Sequence, residues 1–238
     1  MGIFRVLVQG RDYMSNLNLY NTKYGRFLLN PADMVSSYLI DGRFWEDELI
    51  QIFDKYLDKD SYVVEVGSYV GDHTVYLSKL CKQIYAYEGY RKTYYALLAN
   101  LLLNDCDNVV PSNIIVGNGE FIRPMNLEDP HLPDLEQNNA GFRFVSEATS
   151  ENQSIKLDEL MFPHKIDMLK IDAEGMDLSI MMGARNLINR FHPVIIFEFN
   201  GLITQPFTEY ETFLDDIHYS WEKISNWNYV AKYKGAER

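Results

Sequence analysis

Apolar residues recur along the chain with two periods, and each change of period marks an element. Leu49, Ile52, Phe53, Tyr56 and Leu57 fall at i, i+3, i+4, i+7 and i+8, one stripe of a helix over 46–57. Tyr62-Val63-Val64-Glu65-Val66 follows, a β-branched run that stops at Gly67 and has the composition of a buried parallel strand. A helix over 71–80, a strand over 83–87, a helix over 94–103 with Leu97, Leu98, Leu101 and Leu102 inward, and a strand over 109–116 continue the alternation. It resumes later with a strand over 166–171, a helix over 176–191, a strand over 193–197 and a helix over 208–217. Tyr229-Val230-Ala231-Lys232-Tyr233 alternates and predicts an edge strand near the end.

Strand and helix thus alternate five times between 62 and 217. That order predicts an α/β fold with a parallel sheet, helices on both faces, and ligands at the carboxyl ends of the strands. Residues 119–154 break the rhythm: they are polar, hold three prolines and carry an Asn-Asn-Ala-Gly turn at 138–141. They read as an acidic insertion near the substrate site, with a short antiparallel pair over 121–125 and 142–145. No repeat or Gly/Ser linker intervenes, so one domain over 46–238 with an N-terminal extension over 1–45 is expected.

Composition narrows the field. The 238 residues are 47% hydrophobic and 24% charged, enough to bury a core, and the formal net charge is −12. That balance argues against a general nucleic-acid binder and against an electrostatic grip on anionic membranes. The acidity is concentrated: 119–160 has a net of −6 and 201–222 a net of −5, and both stretches are expected to flank the carboxyl-end cleft. Cys81 and Cys106 form no disulfide framework, and no apolar run approaches the roughly 20 residues of a membrane helix. Residues 1–6 lack the layout of a signal peptide, so a soluble, cytoplasmic protein without membrane insertion is the expectation.

The chemistry gathers at strand ends. Glu65-Val66-Gly67-Ser68-Tyr69-Val70-Gly71 lets the backbone approach a ligand closely at the start of a helix. Its spacing is not the G-x-G-x-x-G of a nicotinamide oxidoreductase, and an acid beside a pyrophosphate would repel it. S-adenosylmethionine carries an ammonium and a sulfonium and no phosphate, so it suits this loop better. Glu88, 23 residues beyond Glu65, sits where an acid can accept both ribose hydroxyl protons, with Gly89 next to it. Asn113 is placed either to meet the adenine edge or as a turn residue. Leu169-Lys170-Ile171-Asp172-Ala173-Glu174-Gly175 and Glu198 deliver further charge to the cleft, with helix capping the alternative role for Asp172 and Glu174. His73, beside the glycine loop, is the histidine placed to act as a base; His131, His164, His192 and His218 read as surface or capping residues.

These segments, together with Asn139-Ala140-Gly141, Leu157-Asp158-Glu159-Leu160 and Pro193-Val194-Ile195-Ile196-Phe197-Glu198, resemble in order the FkbM-type methyltransferases. The similarity runs over about 45–200 and includes Trp45-Glu46. It implies a Rossmann-like class I methyltransferase with a mostly parallel seven-stranded sheet, using S-adenosylmethionine to methylate sugar or macrolide hydroxyls. Tyr69 in the glycine loop, His73 in the first helical turn and the long acidic insertion depart from the family pattern.

Such an enzyme holds hydroxyl and methyl in line and removes a proton. Asp172 is the expected base or metal ligand, with Glu174 and Glu198 as neighbours and Lys170 as charge partner; magnesium on Asp172 and Glu198 is compatible with the resemblance. Glu65, Gly67, Ser68, Tyr69, Gly71, Glu88, Gly89 and Asn113 are the expected cofactor residues. A neutral sugar or glycan is the expected acceptor. A polyketide-like small molecule, or a cofactor-binding module without catalysis, is the alternative. Trp221, Trp227, Tyr229 and Tyr233 read either as sheet-edge packing or as platforms for sugar faces.

Overall fold

Successive side chains of the central strands point to opposite faces of one sheet, and the helices divide accordingly. The computed structural model describes residues 16–124, 144–146, 152–201 and 205–235. In chain order its elements are β1 (Asn18–Asn21), β2 (Arg26–Leu29), α1 (Met34–Ile40), α2 (Asp47–Tyr56), β3 (Tyr62–Val66), α3 (Asp72–Ser78), β4 (Gln83–Tyr87), α4 (Arg91–Leu103) and β5 (Val109–Ser112). Then come β6 (Phe121–Pro124), β7 (Phe144–Ser146), β8 (Asn152–Gln153), β9 (Met168–Ile171), α5 (Asp177–Gly183), α6 (Arg185–Phe191), β10 (Val194–Glu198), α7 (Phe207–Asp216), β11 (Tyr219–Lys223) and β12 (Asn228–Tyr233). Among the described residues no helix is long and apolar enough to cross a membrane.

Seven strands form the main sheet in the order β11-β12-β10-β9-β3-β4-β5. The five from β10 to β5 are parallel, while β12 is antiparallel to both β10 and β11. The doubly wound, mostly parallel sheet expected from the sequence is therefore present. The chain winds outward from β3 to β5, returns to β9 and winds the other way, so the sheet's switch point lies between β3 and β9.

Val64, Leu169 and Ile195 join α5, α6 and α7 in one core, which includes Leu178, Ile188 and Phe213. Their neighbours Val63, Met168 and Ile196 join α1 to α4 in the other, with Leu39, Phe53, Val75 and Leu97. Phe27, Leu29 and Phe44 belong to that second core, so the described part of 1–45 packs on the same sheet face. Asn100 anchors it from α4, accepting from the Leu28 amide at 2.7 Å and donating to the Val70 carbonyl at 2.8 Å.

Three expectations change. The helix predicted over 176–191 is two, broken at Ala184. A Cβ on Gly183 would lie 2.1 Å from the Gly117 carbonyl oxygen, which pins the end of α5. Asp158 then accepts from the Asn186 and Leu187 amides at 3.0 and 2.8 Å and starts α6 afresh. The strand predicted to reach 116 ends at Ser112, where Asn113 turns the chain. The predicted edge strand 229–233 lies inside the sheet, because β11, a short and mostly exposed strand, covers it. In the insertion, β6 pairs with both β7 and β8. The turn at 138–141, His131 and the acids at 128, 129, 134, 136, 147 and 151 lie outside the described residues.

The switch point is tight. Gly67 has φ +84°, and a Cβ there would lie 1.8 Å from the Asp172 carbonyl oxygen. Gly67→Ala is expected to cost about 3 kcal/mol or more, from overpacking against backbone plus the left-handed conformation. Urea unfolding checks this: an unchanged midpoint would show that β3 and β9 can part at no cost.

Candidate active site

Register and pleat assemble the site. Glu65 on β3 is the direct cross-strand partner of Lys170 on β9, which in turn is level with Ile196 on β10. Two residues further along each strand, at the carboxyl ends and on the same face, stand Gly67, Asp172 and Glu198. The N-terminus of α3 faces them with Asp72 and His73, and the turn before α2 contributes Trp45 and Glu46. These groups line a cleft of about 300 Å³ at the switch point. Seven carboxyl groups line it (Glu46, Glu65, Asp72, Glu88, Asp172, Glu174 and Glu198), and among the described residues no Lys or Arg does.

Lys170 lies just beneath. Its side chain is 1% exposed, with Nζ 3.1 Å from Asp172 Oδ2 and 3.8 Å from Glu65 Oε1. Burial alone would lower its pKa, but Asp172, Glu65, Glu46 and Asp72 together raise it above the ordinary lysine value. Burial acts on the acids in the opposite sense. It pushes Asp72 up to about 7, Glu46 up to about 8 with help from Asp172, and Glu198 up to about 10 with help from Asp172, Asp177 and Glu174. Burial and these neighbours thus favour the protonated form of Glu198. Glu65 is raised by burial, and its Oε2 accepts from Thr74 Oγ1 at 2.6 Å. Asp172 has a third of its side chain exposed, so it presents an oxygen to the cleft while Lys170 holds the other.

Glu88 braces the loops. Its Oε2 accepts from the Tyr69 amide at 2.9 Å, and its Oε1 accepts from the Tyr90 amide and Thr93 Oγ1, each at 2.8 Å. Three of its roughly four lone-pair positions are thus filled within the protein, and Glu88 still lines the cleft. Ser68, Tyr69 and Gly89 line the cleft as expected. Gly71 acts from behind: φ is +87°, and a Cβ would meet Leu97 Cδ1 at 2.7 Å.

Two further sequence expectations are corrected. Asn113 does not line the cleft; its Nδ2 donates to the Glu88 and Gly89 carbonyls at 2.7 and 3.2 Å, so the turn-residue reading applies and Ile114 and Ile115 form the wall instead. His73 is a poor base. It is buried against Phe44 and Phe53, burial and then Lys170 hold its pKa well below the ordinary imidazole value, and its Nε2 faces the Trp45 carbonyl at 3.2 Å. A carbonyl only accepts, so Nε2 carries the proton and the ring is neutral. Glu174 lines the cleft with φ +49°.

The acidic stretches also divide differently. Asp215, Asp216 and Glu222 pair on the surface with Lys234, Arg185 and Lys232, and Glu120 and Glu209 line a shallow depression elsewhere. Among the described residues, the acids of the cleft come from outside both stretches. Among them Asp72 had no flag in the sequence, because an acid in a first helical turn is ordinary. Buried Asp177, whose Oδ1 accepts from the Glu198 amide at 2.8 Å, was hidden for the same reason.

The donor set does not fit magnesium. Among the described residues, the group of three metal-ligating atoms that converges is that of Glu46, His73 and Asp172, within 4.8 Å of one another, and Glu198 is not part of it. One of the three is an imidazole nitrogen, whereas magnesium takes oxygen. The Lys170 ammonium already stands at Asp172 Oδ2.

A doubly wound seven-stranded sheet with an acid-lined cleft at its switch point defines a Rossmann-like methyltransferase fold. The sequence matches the Methyltransferase FkbM domain over residues 65–229, and the chain belongs to that family. No curated protein matches it in sequence. Among solved structures it is similar to the FkbM methyltransferase of Methylobacillus flagellatus KT, with TM-score 0.50 and 11% identity over 84% of this chain and 52% of that one. It is also similar to wild-type Trm5b of Pyrococcus abyssi, with TM-score 0.53 and 13% identity over 91% of this chain and 55% of that one. The chain spans about half the length of each.

Raised carboxyl pKa values set the sign of a pH effect. Glu46, Asp72, Glu88 (pushed by burial to about 7) and Glu198 hold protons in the folded state that they release on unfolding above about pH 4.5. Their contribution is fully present below that pH and is lost as pH rises through 7 to 10. The melting temperature is therefore expected to fall between pH 5 and pH 9, and a flat or rising profile by calorimetry would contradict the assignment. Lys170→Met should cost about 3–5 kcal/mol at pH 8 and clearly less at pH 5, where the acids it neutralises take up protons.

Proposed function

We propose that the chain is an S-adenosylmethionine-dependent O-methyltransferase that acts on a hydroxyl of a neutral sugar or glycan. The observation that carries this reading is the cleft itself: seven carboxyl groups and no Lys or Arg among its described lining. Such a lining favours a cation and disfavours a phosphate. When bound, S-adenosylmethionine supplies a methyl group on a positively charged sulfur that leaves as a neutral thioether. Glu65 and Asp72 are the acids for its cationic end, and Glu88 offers its remaining lone pair to a ribose hydroxyl. Gly67, without a Cβ, lets this loop pack directly against the Asp172 backbone at the cleft.

The chain's remaining task is to hold an acceptor hydroxyl in line and take its proton. Asp172 is the base in this reading, because it is the member of the Lys170 cluster with a third of its side chain exposed to the cleft. Glu46, pushed up to about 8, stands beside it as a second holder of the proton. In its favoured protonated form, Glu198 can donate a hydrogen bond to an acceptor oxygen.

Calorimetry with S-adenosylmethionine is expected to show binding with proton release at pH 7, since a cation lowers the pKa of the acids around it. Absence of binding at millimolar concentration would sink the reading. Asp172→Asn should lower methyl transfer at least about a hundredfold while cofactor affinity stays within about threefold. Mass spectrometry of candidate glycans with labelled cofactor reads the transfer, and retained turnover in this variant would remove Asp172 from the role.

A further inference from the structure

Residues far apart in sequence close around the cleft at Glu46. Asn228 Nδ2 donates to Glu46 Oε1 at 2.6 Å across a separation of 182 residues. This clasp ties the neighbour of Trp45 to the neighbour of Trp227, and both tryptophans line the cleft. Glu46 itself has left-handed backbone, φ 59° and ψ 54°, an uncommon state for a non-glycine residue. Its Oε2 is buried and accepts no hydrogen bond among the described residues.

The tail aromatics sort into two kinds. Trp221 packs on Phe207 and Tyr229 at 4.8 and 5.8 Å, and Tyr233 stacks on His192 at 3.8 Å. Trp227 is 45% exposed and makes no ring contact among the described residues. Trp45 is held edge-on against Tyr38 at 5.1 Å, and its carbonyl faces His73 Nε2. One indole is thus set in place by its neighbours and the other is open to a ligand.

We infer that Trp45, Trp227 and Glu46 form an acceptor subsite for one neutral pyranose unit, the indoles taking its apolar C–H faces and Glu46 Oε2 a hydroxyl proton. This rests on the methyl-transfer reading above. A pyranose offers apolar faces bounded by hydroxyl groups, and stacking on indole satisfies the first. Glu46 Oε2, which has no donor among the described residues, and the Glu198 carboxyl satisfy the second, both residues lining the same cleft. The surrounding carboxylates exclude a phosphorylated or uronic sugar.

The chain has three tryptophans, so Trp221→Phe leaves emission from Trp45 and Trp227 alone. This variant, saturated with S-adenosylhomocysteine, is titrated with methyl α-D-mannopyranoside, methyl α-L-rhamnopyranoside and methyl β-D-galactopyranoside, with glucose 6-phosphate as the anionic control. At least one neutral pyranoside is expected to shift the emission saturably, and glucose 6-phosphate is not. In a separate series, adding Trp227→Ala, or Asn228→Ala to open the clasp, should weaken the response about tenfold or more. Affinity for S-adenosylhomocysteine by calorimetry should stay unchanged in both. If S-adenosylhomocysteine binds but no neutral pyranoside moves the emission, or if Trp227→Ala leaves the titration as it was, the subsite is refuted and the cofactor reading stands. If S-adenosylhomocysteine does not bind, the cofactor reading fails and the subsite fails with it.

Discussion

A single buried ammonium organises the active-site end of the sheet. Lys170 is the third residue of a four-residue strand buried along its whole length, where an apolar side chain would be ordinary. Its Nζ reaches Asp172 at 3.1 Å and Glu65 at 3.8 Å, and its charge offsets those of Glu46 and Asp72. Without it, four acids drawn from β3, α3, β9 and the start of α2 would meet in a desolvated space with nothing to oppose their repulsion. Replacing a buried ion cluster by apolar residues is often neutral for stability, so packing alone gives no reason for this arrangement. The reason lies in the cleft above: carboxylates kept close together by a cation on their protein side present negative charge on their open side.

Backbone strain gathers at the same place. Among the described residues six non-glycine residues have positive φ, and three of them, Glu46, Tyr69 and Glu174, line the cleft. Each conformation costs about 1–3 kcal/mol and persists only where surrounding contacts over-determine it. Those contacts are visible for two of the three. Asn228 holds the Glu46 carboxyl, and Glu88 accepts from the Tyr69 amide, so the same bonds that fix the strained residues also shape the cleft wall.

What could be read from the sequence follows the same division. Strand-end motifs were legible because period and register are local: a β-branched run ending in Gly67 and an apolar run ending in Asp172 place those residues whatever surrounds them. Roles that depend on partners from elsewhere were not. Asn113 was equally suited to a ligand or a turn until its amide met the Glu88 and Gly89 carbonyls. His73 suggested a base by its place in the chain, and only Phe44, Phe53 and Lys170 around it show why the ring stays neutral. The break at Ala184 is likewise set by Gly117 and Asp158, neither of which the helical pattern of 176–191 contains.

Charge balance joins the cluster to the proposed reaction. Methyl transfer from a sulfonium to a neutral hydroxyl consumes one positive charge and releases one proton. In a cleft with Lys or Arg along its walls, that proton would need an immediate path to water. Here Glu46 and Asp72 have pKa values of about 8 and 7, so each can take up a proton near neutral pH as the neighbouring cation disappears. The proton replaces the lost charge, and the net charge of the cleft is the same before and after the step. Lys170 keeps its own proton throughout, because the acids around it hold its pKa above the ordinary lysine range. In the proposed reaction the ammonium would therefore serve as a fixed counter-charge while the carboxyl groups above it exchange a cation for a proton.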